Sequence, residues 1–110
     1  MYARVIEWDG VTTSEIDRDL AYARNEIVPR AEDIPGMSGM LVLVDRETGR
    51  STSITLYADR QSLDDSREAS ATLRELMEQH MDLRRPPTVR ELEVGLATMN
   101  VSALALPTPA

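Results

Sequence analysis

His80 is the one histidine of the chain, and so the one side chain able both to titrate near neutrality and to ligate a metal. Its place at the end of a helical stretch allows two roles. It is a cation interacting with the helix dipole, or a catalytic group. With no cysteine there is no thiolate nucleophile, Cys-ligated zinc or disulfide framework. No Ser-His-Asp set, His-rich metal cluster or Gly-rich phosphate loop is present, so no metal site is expected. The remaining chemistry lies in hydroxyls and aromatics. Ser66 and Ser70 interrupt an otherwise apolar helical stripe of Leu63, Leu73 and Met77. Two serines where leucines would ordinarily sit open a void of order 100 Å³ between helix and sheet, or else let the two layers approach closely. The first reading makes Ser66, Ser70 and Tyr57 ligand-binding, with Tyr57 and His80 the candidate catalytic groups. Tyr2, Tyr57 and Trp8 either line such a site or pack the core. Arg4, in the first strand, needs an acidic partner if it turns inward, and Glu91 or Glu93 on the last strand is placed to supply it.

The elements that position these residues follow from periodicity. Tyr2 to Trp8 alternates as a strand, and Asp9-Gly10 breaks it. Thr12-Thr13-Ser14-Glu15 carries a capping box, followed by Ile16, Leu20, Ala23 and Ile27 on one helical stripe. Pro29 is expected to end or kink that helix near Val28. After Pro35-Gly36 comes a hairpin: Met40, Val42 and Val44 on one face, Leu41 and Leu43 on the other. Its turn runs from Asp45 to Arg50, with Gly49 at a positive φ, and a Ser/Thr-rich strand returns to Tyr57. Asp59 caps a second helix. Arg84-Arg85-Pro86-Pro87 is a stiff linker, Thr88 to Thr98 reads as the last strand, and 101–110 is a tail.

The order βαββαβ predicts one ferredoxin-like α+β domain over residues 1–100. It has a four-stranded antiparallel sheet with both helices on one face. The first hairpin strand is apolar on both faces, and two helices cover only one. Met40, Val42, Val44, Tyr57 and Trp8 are expected on the free face, buried by a second copy in a homodimeric α/β barrel.

Composition bounds the partners. Twelve basic against 19 acidic residues give a net charge of −7, which disfavours nucleic acid. No apolar run is long enough to cross a membrane, and the N-terminus does not read as a signal peptide, so a cytoplasmic location is expected.

Tyr2-Ala3-Arg4-Val5 with Gly10, Pro35-Gly36-Met37-Ser38-Gly39, Leu41 to Arg50, Leu56-Tyr57 and Arg90-Glu91-Leu92-Glu93-Val94 together resemble the antibiotic biosynthesis monooxygenase-like superfamily of dimeric α/β barrels. The resemblance spans about residues 2–98. It implies the fold and the dimer more specifically than a reaction, because such proteins include cofactor-independent monooxygenases, haem-degrading oxygenases and members with no known activity. The Asn common on the family's first strand is replaced here by Ala3 and Arg4. The Trp early in its second helix falls in the Asp64-Asp65-Ser66 region, and its haem-ligating His falls near Glu75, short of His80. Tyr57 does match the aromatic residue that commonly closes the third strand. No haem or other cofactor is therefore expected. The function expected is a homodimeric protein with a pocket for a small apolar or aromatic molecule and no assigned reaction. The alternative is a cofactor-independent monooxygenase of an aromatic or polyketide-like substrate.

Overall fold

Residues 1–11 and 13–100 are described by a computed structural model. Four strands, β1 (Tyr2–Asp9), β2 (Met37–Val44), β3 (Arg50–Tyr57) and β4 (Thr88–Glu93), form one sheet in the order β2-β3-β1-β4. Every neighbouring pair is antiparallel. Between β1 and β2 the chain makes a 3₁₀ turn (Thr13–Glu15), α1 (Ile16–Tyr22), a π-helical turn (Ala23–Ile27) and α2 (Val28–Glu32). Between β3 and β4 lie α3 (Arg60–Asp65) and α4 (Arg67–His80). This is the expected ferredoxin-like α+β layout.

Local chemistry explains most boundaries. At the β2–β3 turn the Asp45 carboxylate accepts from the backbone N–H groups of Glu47 and Thr48, at 2.9 and 3.3 Å, and Gly49 takes φ +83°. Asp59 caps α3 by accepting from the Ser62 N–H at 2.8 Å. Thr12 of the expected capping box lies outside the described residues, and the Glu15 carboxylate accepts from Arg18 at 3.0 Å. The tail 101–110 also lies outside them.

Pro29 does not end the first helical segment. The Val28 N–H bonds back to the Ala23 carbonyl, five residues earlier. That wider turn gives the proline ring room and accommodates its missing N–H, and the helix runs on to Glu32. β4 is shorter than expected because β1 begins at Tyr2. Its ladder ends at the Tyr2–Glu93 pair and the bond from Val94 N–H to the Met1 carbonyl, 2.9 Å.

One expectation is overturned. Ile6 and Trp8 on β1 pack against Ile27 and Met77, so both helical segments cover the face bearing Tyr2, Arg4, Ile6 and Trp8. The register places Ser51, Ser53, Thr55 and Tyr57 on that same face. Across from them, Met40 pairs with Thr55, Val42 with Ser53 and Val44 with Ser51. Met40, Val42, Val44, Tyr57 and Trp8 therefore face the helices and not the open side. The uncovered face instead carries Ala3, Val5, Leu41, Leu43, Ile54, Leu56 and Leu92, with Leu43 54% exposed. Both faces of β2 are apolar, so alternation alone could not say which one the helices take.

Candidate functional site

A cavity of about 100 Å³ lies between the helices and the sheet. Ile16, Leu20, Ala23, Ile27 and Ala31 wall it from the first helical segment, and Leu73 and Met77 from α4. From the sheet come Ile6, Trp8, Met40, Val42 and Val44. The polar exceptions are ordered. Ser51, Ser53, Thr55 and Tyr57, every second residue of β3, form a hydroxyl stripe along one wall, and Ser70 of α4 adds another hydroxyl. Glu15, Asp19, Arg74 and Asp82 also border the cavity and supply its charged groups. Gly10 and Gly49 meet at the wall, where a Cβ on Gly10 would lie 2.5 Å from the Gly49 carbonyl oxygen, so only glycine lets the hairpin turn approach there.

Two of the stripe hydroxyls accept from side chains of β1. Trp8 Nε1 donates to Ser53 Oγ at 3.2 Å. Arg4, 2% exposed, donates through one terminal nitrogen to the Tyr57 hydroxyl at 3.0 Å and to Ser66 Oγ at 2.8 Å. Its other terminal nitrogen reaches the Leu63 carbonyl at 3.1 Å and the Glu91 carboxylate at 2.7 Å. The Arg4 guanidinium also lies over the Tyr57 ring, 5.2 Å from its centroid. A buried arginine needs such satisfaction, and Glu91 is the acidic partner its position demanded. The Glu91 carboxyl is held down to about 2, chiefly by the Arg67 guanidinium and then, against the opposing effect of burial, by Arg4.

Of the residues singled out from sequence, Tyr57 and Ser70 line the cavity. Ser66 does not. Its hydroxyl donates to the Leu63 carbonyl at 2.7 Å and accepts from Arg4, so it serves the buried arginine as a structural hydrogen-bond relay. His80 ends α4 with its ring stacked on Tyr22, centroids 4.0 Å apart and planes 5° from parallel, and its Nε2 lies 3.5 Å from the Asp19 carboxylate. It stands behind Asp19 and does not itself line the cavity. Ser51, Ser53 and Thr55 were not singled out, although their alternation up to Tyr57 is visible in the sequence. The pattern acquires meaning only once helices face it.

No protein-family model matches the chain. In sequence it is 26% identical over 67 residues to two uncharacterized proteins from two strains of Mycobacterium tuberculosis. The match takes in 61% of this chain, which spans only 30% of the length of those curated relatives. In structure, a monooxygenase from the gene ActVA-Orf6 of Streptomyces coelicolor, in complex with the ligand nanaomycin D, superposes with a TM-score of 0.72. The two are 14% identical, over 90% of this chain and 91% of that one. A dimeric ferredoxin-like protein from an uncultured marine organism superposes at 0.65 with 12% identity, over 90% and 91%. SnoaB, a cofactor-independent oxygenase from Streptomyces nogalater, superposes at 0.62 with 9% identity, over 87% and 94%. The chain has the fold of the antibiotic biosynthesis monooxygenase-like proteins, as its sequence motifs implied. At these identities the likeness concerns the fold, and the reaction is not assigned by it.

Proposed function

We propose that this protein is a cytoplasmic homodimer that holds a small, planar, largely apolar molecule in the cavity between helices and sheet. The observation that carries this reading is the cavity: apolar walls with a few convergent hydroxyls are the usual make-up of a small-ligand site. The uncovered apolar sheet face supports the dimer, since a face of that kind is costly to leave in water. A second reading, oxidation of an aromatic or polyketide-like substrate without a cofactor, is favoured by the structural likeness to a cofactor-independent oxygenase. In that reading Tyr57 and Ser70 orient the substrate, and Asp19, which borders the cavity with His80 3.5 Å behind it, is the group assigned to take up a proton.

Trp8 is the sole tryptophan and lines the cavity, so its emission reports directly on occupancy. Titration with 1-naphthol is expected to quench Trp8 saturably at one molecule per chain. Oxygen uptake in the same cuvette would assign the second reading. Quenching without uptake assigns binding alone, and a linear, unsaturable response would remove the cavity as a binding site.

A further inference from the structure

Two charges on the uncovered sheet face have no partner in their own chain. Alternation along β1 puts Glu7 on that face with Val5, and the register sets Arg90 of β4 directly across from Val5. Both residues are exposed, and among the described residues neither side chain makes a hydrogen bond or an ion pair. Asp9 and Arg50, at the far end of the same face, pair with each other at 3.5 Å. The surroundings of Glu7 and Arg90 are apolar, through Val5, Ile54, Leu41, Leu56 and Leu92. An apolar surface laid over this face would strip water from both charges and give them nothing in return. A second copy of the chain differs, because in a two-fold interface residue i meets j and j meets i.

We infer that the face is self-complementary through this pair: Glu7 of one subunit meets the partner's Arg90, and Arg90 meets the partner's Glu7. These two symmetry-related ion pairs set the register of the sheets and restrict the partner to another copy of this chain. This rests on the homodimer reading above and deepens it. The apolar residues ask for the same symmetry. On a flat grid with strands about 4.8 Å apart and alternate residues about 6.8 Å apart, the axis that exchanges Glu7 with Arg90 passes within about 2 Å of Ile54. It runs diagonally to the strands. It also sets Leu41 against the partner's Leu56, and Leu43 against the partner's Ala3 and Leu92.

The test reverses the charges. Glu7→Arg and Arg90→Glu each bring like charges together across the interface, so each alone should raise the dimer dissociation constant at least tenfold, read by light scattering over a dilution series. Mixed in equal amounts, the two variants should pair with one another, since one then carries only cations at these positions and the other only anions. Native mass spectrometry separates the heterodimer from both homodimers, and its share should lie well above the statistical half. Repulsion confined to one chain cannot produce that pairing, because mixing does not relieve it. A heterodimer share at the statistical half would overturn the inference and leave the homodimer standing. A parent that is monomeric at micromolar concentration removes the homodimer reading and the inference with it. Should a reversal variant fail to fold, Glu7→Gln, Arg90→Gln and the two combined take its place. Each should weaken the dimer severalfold and the combination no further, since one missing charge already breaks the pair. Losses that add, or no loss at all, would overturn the inference.

Discussion

Ser66 and Ser70 lie one turn apart, and the backbone N–H of Ser70 bonds the Ser66 carbonyl at 2.8 Å, yet their side chains serve different ends. The Ser66 hydroxyl sits between the Arg4 guanidinium and the Leu63 carbonyl, both buried. Removing it leaves a charged donor short of a partner, so Ser66→Ala should cost about 1–3 kcal/mol in a urea melt. The Ser70 hydroxyl borders open volume. Leucine there adds a net two heavy atoms to a space able to take them. Ser70→Leu should therefore stay within about 1.5 kcal/mol of the parent while weakening 1-naphthol binding at least tenfold. A Ser70→Leu variant that loses stability as Ser66→Ala does would show that the cavity is already closed at that wall.

Among the elements, β4 depends most on single contacts. It pairs only with β1, and all six of its residues are exposed. Glu91 ties it to the helical layer, accepting from Arg67 at 2.8 Å and from Arg4 at 2.7 Å. Its folded carboxyl titrates near 2, below the ordinary 4.5, so the ionised form is the one the fold favours. The stabilisation is complete above about pH 4.5 and is lost as pH falls through that value towards 2. Glu91→Gln should lower the melting temperature at neutral pH and flatten the acid limb, so that parent and variant converge near pH 2. Asp45 and Asp59 also titrate low because they accept backbone N–H bonds, but both remain in the variant. The difference between the two curves therefore isolates Glu91. Curves that stay parallel down to pH 2 would mean that the clasp adds nothing to stability.

At the scale of the whole molecule, the uncovered sheet face has Ile54 at its centre, with Val5 beside it on β1 and Leu41 on β2. A charge there is left unpaired when two sheets meet, at a cost of about 3 kcal/mol or more. Ile54→Asp should therefore raise the dimer dissociation constant at least 100-fold, read by light scattering at micromolar concentration. Val42→Asp makes the complementary control. Val42 faces the cavity, so this variant should remain dimeric while losing 1-naphthol binding. A parent that scatters as a monomer would refute the dimer, and a monomeric Val42→Asp would show that the two faces are not separable.

Much of the architecture is written in short-range pattern. Strand alternation, the Asp59 cap, the Gly49 turn and the stripes of both helical segments are decided by residues within a few positions of one another. The order βαββαβ then leaves few topologies open. Alternation also says which residues share a face, which is why Met40, Val42 and Val44 were grouped correctly. It is silent on which of two apolar faces the helices cover, because hydrophobicity is the same on both. That choice came only from Ile6 and Trp8 meeting Ile27 and Met77. The serines show the same limit at finer grain. Nothing near Ser66 in sequence announces Arg4, which lies 62 residues away, or separates its role from that of Ser70. Likewise the alternating hydroxyls that end at Tyr57 are plain in the sequence, but only the fold decides that their strand walls an open volume and not solvent.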